Sequence, residues 1–261
     1  MRRFSLLLLL ASLACGREDV SEAPSALQTP PRAEGEALTR LDEGRAIHVR
    51  VQAAPEGADP DRVVSLRVDG FPELDGTDAL DATYVGEGVA VLGVDHRLRY
   101  LASPGAEPVE LDAQVEPPLS SQGTHLVYAR GEMPFFAIVK AEPSTGALEA
   151  LTEPTRSCWS PAVAATGEVA YVCTAEGRPR LFVHDGQERA LPTERFPTSA
   201  LAPHFDGRRL AFTDETGAVV LDVRDGSAIT VDEDAGAIFG DATGLVVTGI
   251  DGALRPLEVT P

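Results

Sequence analysis

The amino-acid sequence predicts an all-β fold, a β-propeller of four-stranded blades, five or six in number. Three observations carry that expectation. Past Arg45 no apolar run keeps a helical period, and short strand-like runs alternate with Gly, Asp-Gly and Pro turns. One strand–turn–strand core recurs with turn glycines at 88, 123, 167, 207 and 244, at intervals of 35, 44, 40 and 37 residues. That period is close to the roughly 40–45 residues of a propeller blade. The second strand of the core, as in Glu168–Cys173, is apolar on both faces, which suits a strand covered on both sides by neighbouring blades. A β-sandwich is the alternative all-β arrangement.

The chain opens with a basic segment, Met1–Phe4, and an apolar run, Ser5–Leu13, that holds five consecutive leucines from Leu6 to Leu10. The run is shorter than the roughly 20 residues needed to span a bilayer, so it reads as an export signal. It ends Ser12-Leu13-Ala14-Cys15-Gly16. A small residue before a cysteine at the end of such a run resembles the lipobox of bacterial lipoproteins. The resemblance implies a diacylglyceryl group on the Cys15 thiol, cleavage after Ala14 and acylation of the new amino terminus. Ser12 stands where the commonest lipobox has leucine, and the looser form of the motif admits it. An ordinary secretory signal cleaved nearby is the alternative. Two or more acyl chains hold a protein at a membrane where a single one binds only marginally. Gly16 after the cysteine, rather than Asp, implies onward sorting to the outer membrane, with the folded part in the periplasm or at the cell surface.

The domain plan is then a signal peptide over 1–14, a lipidated Cys15 and flexible linker over 15–44, and a propeller over 45–261. The linker is rich in Glu, Ala, Pro, Ser and Thr, and Thr29-Pro30-Pro31 forbids a long helix. A brief helix over 33–43 would have only Leu38 and Leu41 to bury. As a random coil this tether reaches on the order of 30 Å.

Lys and Arg number 22 against 41 Asp and Glu, a net charge of −19. Loss of Arg2 and Arg3 with the signal would leave 20 basic residues and a net charge of −21. Such a surface repels phosphate backbones and anionic lipid, which argues against nucleic-acid binding and electrostatic adsorption to membranes.

Within the propeller segment, the first two strands of successive units are Ala82–Val85 with Gly88–Leu92, Ser120–Gln122 with Thr124–Tyr128, Ser160–Pro161 with Glu168–Val172, Ala202–Phe205 with Arg209–Phe212, and Ile238 onward with Gly244–Val247. Third strands follow at Arg97–Leu101, Phe135–Val139, Arg180–Val183, Val219–Val223 and Leu254–Val259. Shorter fourth strands follow at Pro108–Leu111, Ala147–Leu151, Arg189–Leu191 and Ala228–Val231. The last unit stops short of a fourth strand. Ala46–Gln52 or Arg62–Val68 would supply it and close a five-bladed ring, or the two together would form most of a sixth blade.

Trp159-Ser160-Pro161, the turn at Thr166-Gly167 and the strand Val169-Ala170-Tyr171 resemble the TolB-type, WD-repeat-like propeller repeat. Phe205-Asp206-Gly207 with Leu210-Ala211-Phe212 is the second-best copy. The resemblance covers about residues 80–261 and is specific in those two units. It implies a propeller and, by analogy, an envelope protein as partner. The α/β domain that precedes the propeller of TolB has no room here, so identity with TolB is not implied.

Cys158 and Cys173 fall at nearly equal distances on either side of the turn at Thr166-Gly167. A cross-strand disulfide is geometrically open to them, and an oxidising periplasm favours it. Their spacing is not that of a redox Cys-x-x-Cys pair. The five histidines, His48, His96, His125, His184 and His204, show no metal-ligand spacing. His96, His125 and His204 lie near turns of different units and would either converge in a propeller mouth or sit on the surface. The acidic stretches Asp75–Asp78 with Asp81, and Asp232–Asp234 with Asp241, do not follow the EF-hand order and read as solvated loops. No Gly-x-Ser-x-Gly elbow, phosphate loop or dinucleotide fingerprint is present.

No catalytic residue, metal or cofactor is therefore expected. The expected function is that of a monomeric, lipid-anchored, non-catalytic binding module for another envelope protein. The alternative is an enzyme or a carbohydrate or metal binder with its site in the propeller mouth. An enzyme should gather acids or histidines with displaced pKa values there, and a scaffold should carry an apolar or charged patch on its rim.

Overall fold

The structure, a computed structural model, describes residues 37–42, 45–51, 64–198, 203–232, 235–241, 244–249 and 254–257. The signal segment, Cys15 and the linker up to residue 36 lie outside the described residues. No helix among the described residues is long and apolar enough to cross a membrane.

The fold is a β-propeller. Four complete blades follow one another, each a meander of four antiparallel strands. Blade I comprises β4 (Asp78–Val85), β5 (Gly88–Gly93), β6 (Leu98–Leu101) and β7 (Val109–Asp112). Blade II comprises β8 (Val115–Gln122), β9 (His125–Glu132), β10 (Phe135–Glu142) and β11 (Ala147–Ala150). Blade III comprises β12 (Cys158–Val163), β13 (Val169–Ala175), β14 (Arg178–His184) and β15 (Glu188–Ala190). Blade IV comprises β16 (His204–Phe205), β17 (Arg209–Asp214), β18 (Gly217–Asp222) and β19 (Ala228–Asp232).

A three-stranded unit flanks this set at each end: β1 (Ala37–Asp42), β2 (Arg45–Val51) and β3 (Val64–Val68) before it, and β20 (Ala235–Asp241), β21 (Gly244–Gly249) and β22 (Leu254–Leu257) after it. The first strands of successive units adjoin from β4 through β8, β12 and β16 to β20, and β20 in turn lies beside β1. These strands surround the axis, and the first and last described units meet there.

The sequence left two roles open for Ala46–Gln52 and Arg62–Val68, and neither segment adds a strand to the last sheet. β2 and β3 pair with each other, β2 pairs with β1, and β3 reaches blade I through Val64↔Ala79 and Ser65↔Asp78. The segment 37–42, read as linker or brief helix, is a strand, so the sheet begins before residue 45. Its backbone groups find a ladder on β2, with Ala37 opposite Val49 and Asp42 opposite Arg45. That cross-strand pairing outweighs weak local helical preference.

The apolar-on-both-faces pattern has a direct structural cause. Successive residues of a strand point to opposite faces. On β13, Val169, Tyr171 and Cys173 pack towards blade II with Val127, Ala129 and Ile138. Ala170 and Val172 pack towards blade IV with Leu210, Phe212, Val219 and Leu221. Each of the other cores is likewise built between two neighbouring units. Tyr128 and Tyr171, both fully buried, carry their hydroxyls to Asp112 at 2.8 Å and Glu188 at 2.6 Å. Burial first, and then those carboxylates, push both phenol pKa values well above the ordinary range.

The inner strands share an irregularity. Their ladders skip register at Leu38/Arg40, Ala79/Asp81, Glu116/Ser120, Trp159/Ala162 and Ala235/Ala237. Such bulges bend a strand and re-aim its side chains and backbone groups. Between β1, β4 and β8 the redirected groups meet. Arg40 Nη2 donates to Asp81 at 3.0 Å and to the Leu119 carbonyl at 3.0 Å, while Asp81 also accepts the N–H groups of Leu119 and Ala82, both at 2.8 Å.

Candidate binding face

A meander with its first strand at the axis has two ends. Turns between first and second strands, and between third and fourth, lie at one end. Turns between second and third strands, and the links from blade to blade, lie at the other. Hydrogen bonds follow this division. The Gly86 N–H donates to the Gly123 carbonyl, joining two first-type turns at 2.7 Å. The Val115 N–H donates to the His96 carbonyl, joining a link to a second-type turn at 3.1 Å.

At the first end, turns of neighbouring blades are tied to one another. Lys140, the chain's only lysine, donates to the Gly167 carbonyl at 2.8 Å. Gly167 has φ +93, a backbone conformation that favours glycine, and a side chain there would displace the Lys140 ammonium, 2.7 Å away. Burial, reinforced by the Lys140 charge and opposed by Glu142, lowers the His125 pKa.

His204, on β16 just before its first-type turn, lies at the same end as His125. His96 lies in the β5–β6 turn at the opposite end, with Nδ1 at 3.1 Å from both the Val115 carbonyl and Glu116 Oε1. The three histidines therefore do not converge. His48 is buried on β2, and His184 ends β14.

The acidic stretches are engaged in local structure. Asp75 accepts the Val68 N–H at 3.3 Å, and Asp81 belongs to the Arg40 tie. Glu233 and Asp234 lie outside the described residues. Among the described residues no three His, Cys, Asp or Glu side chains stand together as a metal-binding group.

The displaced carboxylates run downward. Hydrogen bonding from Arg99 holds Asp95 at about 2, and Arg224 holds Asp222 well below the carboxylate range. At Asp214 and Asp206 burial pushes upward, but donors overcome it: Thr216 and Arg195 for the first, the Arg209 and Arg208 N–H groups for the second. Carboxylates held ionised in this way serve as ion-pair and turn partners and are poor proton donors.

Cys158 and Cys173 are directly opposed across β12 and β13, with Cα atoms 4.0 Å apart and the sulfurs bonded. Trp159 next to them packs against the core between blades III and IV.

Large apolar side chains are left exposed on the outer strands, at Val109, Leu148 and Ile229, and in turns of the second end. At the β9–β10 hairpin of blade II, Met133 is 83% exposed and Phe135 is 53% exposed. Val94, in the equivalent turn of blade I, is half exposed. On blade III, β15 covers β14 only from Phe182 onward, and the Leu191 N–H to the Leu181 carbonyl is the bond beyond it. The chain then turns away and leaves a cleft of about 590 Å3 beside the start of β14. Arg178, Pro179 and Arg180 form one wall, and the segment from Leu191 to Phe196 forms the other. The sequence offered no signal for this cleft beyond the short fourth strand Arg189–Leu191.

No protein family and no curated protein matches the chain in sequence. Solved structures do resemble it. The tricorn protease aligns with a TM-score of 0.53 at 12% identity, over 84% of this chain and 32% of that one. TolB from Acinetobacter baumannii aligns with a TM-score of 0.50 at 11% identity, over 81% of this chain and 63% of that one. XC5397 from Xanthomonas campestris, described as a gluconolactonase, aligns with a TM-score of 0.50 at 15% identity, over 92% of this chain and 99% of that one. These are likenesses of fold. The chain spans about a third of the tricorn protease and under two thirds of TolB. At such identities they support the propeller and carry neither activity nor partner across.

Proposed function

We propose that the protein is a lipid-anchored propeller of the bacterial cell envelope, held to a membrane through Cys15, that docks another envelope protein on the end of the propeller bearing Met133 and Phe135. The observation that carries the docking role is the exposure of this Met-Pro-Phe hairpin tip, at 83% and 53% for its two large apolar residues. Large apolar side chains held on a rigid hairpin lose little entropy on binding and anchor interfaces well. The acidic surface directs the choice of partner away from nucleic acid. The export signal and the Ala14-Cys15 junction support the anchor, and Gly16 supports the outer membrane as its destination.

Two experiments test the parts separately. Cys15→Ser should move the protein from the membrane to the soluble fraction after cell lysis, and continued sedimentation with membranes would remove the anchor from the reading. Cross-linked capture from detergent-solubilised envelope should recover a protein partner with the native chain and lose most of it with Met133→Ser/Phe135→Ser. Equal recovery by both would defeat the docking role, and turnover of a substrate by the purified chain would replace it with an enzymatic one.

A further inference from the structure

The cleft on blade III has a chemistry of its own. Acidic residues outnumber basic ones in the chain, 41 to 22, yet Arg178 and Arg180 both line one wall. Among the described residues, no side-chain hydrogen bond or ion pair engages the Arg178 guanidinium. Arg180 pairs only with Glu176, at 3.3 Å on a turn where that glutamate is 85% exposed, a contact worth little against solvent. Several other described arginines are drawn into closer pairs, as Arg195 is to Asp214 at 2.6 Å and Arg224 to Asp222 at 2.8 Å. The opposite wall is largely apolar: Leu191 is buried, Phe196 is half-buried against the core between blades III and IV, and Pro192 stands between them. Glu194 is the one acid of the lining, so the walls keep a net positive charge within a chain of net charge −19.

The cleft also favours one mode of recognition over another. It lies where the outer edge of β14 is uncovered, which would invite an added strand. Pro179 sits at that edge and has no N–H to offer a ladder. Binding here must run through side chains.

We propose that this cleft receives an acidic segment of a protein partner, with a carboxylate on Arg178 and Arg180 and a neighbouring apolar side chain against Pro192 and Phe196. Guanidinium groups match carboxylates in planar, two-pronged pairs, and such charge-assisted bonds are about twice as strong as neutral ones. The cleft's volume lies within the range of ligand-binding clefts, enough for a few residues of a peptide. It shares its end of the propeller with the Met133–Phe135 hairpin on the neighbouring blade, so the inference deepens the docking role proposed above and rests on it for the identity of the partner as a protein.

The test uses the full chain in mild detergent. Two fluorescein-labelled hexapeptide amides, one alternating glutamate with leucine and the other glutamine with leucine, are titrated by anisotropy. Emission from Trp159, the chain's only tryptophan, is followed as a check on the adjoining core. The glutamate peptide should bind at least about tenfold more tightly than the glutamine peptide, and its advantage should shrink as salt is raised. Arg178→Gln/Arg180→Gln should erase the preference, while Arg224→Gln, at the other end of the propeller, should keep it. Equal binding of the two peptides, or a preference that survives loss of both arginines, would overturn the inference.

Its failure is distinguishable from failure of the docking role. If capture from the envelope depends on Met133 and Phe135 while the peptides show no preference, the cleft inference falls and docking stands. If the native chain captures no partner but prefers the glutamate peptide, the docking role falls and the cleft stands as an acidic-peptide site.

Discussion

Asp81→Ala should be strongly destabilising at the axis, costing about 3 kcal/mol or more, because it removes the acceptor of three part-buried donors at roughly 1–3 kcal/mol each. Asp81 and Arg40 side chains are each only 13% exposed. The carboxylate takes the Arg40 guanidinium and the N–H groups of Leu119 and Ala82 together. Alanine would leave a guanidinium short of its counter-charge and a part-buried Leu119 N–H without an acceptor. Three inner strands, from three different units, would lose their common tie. Asp81→Asn keeps an acceptor but no charge and should cost distinctly less. Urea unfolding of the three proteins measures the series, and a double-mutant cycle with Arg40→Ala gives the coupling. A loss below about 1 kcal/mol for Asp81→Ala would show that the tie is a surface-like pair and does not hold the ring.

Loss of the Cys158–Cys173 disulfide should come next in size. The bond closes a loop with a sequence separation of 15, for which restriction of the unfolded chain contributes about 3 kcal/mol. In a chain of this length that is roughly 6–12 °C in Tm. Both cysteines are fully buried and face the core between blades II and III, so serine at either site adds a polar group to an apolar seam. The informative comparison is therefore made on the native chain: reductant should lower its Tm by that amount and leave Cys158→Ser/Cys173→Ser unmoved. Two free thiols by mass, without reductant, would show that the pair stays reduced.

Much of the blade architecture was legible before any coordinates. Phe135–Val139 falls inside β10, Arg180–Val183 inside β14, and the fourth strands at 147–151 and 189–191 fall within a residue or two of β11 and β15. These elements announce themselves because each is a short apolar run bounded by glycine turns, and because each repeats. β1 was not legible. Its sequence, Ala-Leu-Thr-Arg-Leu-Asp, follows a Pro- and Glu-rich stretch, and only its pairing with β2 makes it a strand. Ring closure was half legible: the strands at 45–51 and 64–68 were visible, and so were both outcomes, completing the last sheet or forming a unit together, but nothing local chooses between them or brings in β1.

The candidate site divides in the same way. Trp159 and the two cysteines drew attention in the sequence and proved to be parts of a core and a cross-strand pair. Met133, Phe135, Arg178 and Arg180 drew none, because their exposure together at one end is set by how the blades stack and not by any local pattern.

Alternation of side chains and the φ freedom of glycine are properties of neighbouring residues, so strands, turns and the repeat could be read from the chain alone, and with them the propeller. The meeting of Arg40 with Asp81 spans 41 residues, and that of Leu119 with Asp81 spans 38. The cleft depends on β15 being only three residues long and on the chain turning away beyond Leu191. Contacts of that kind are settled by how twisted sheets stack around an axis, a sum over every blade that no local pattern contains.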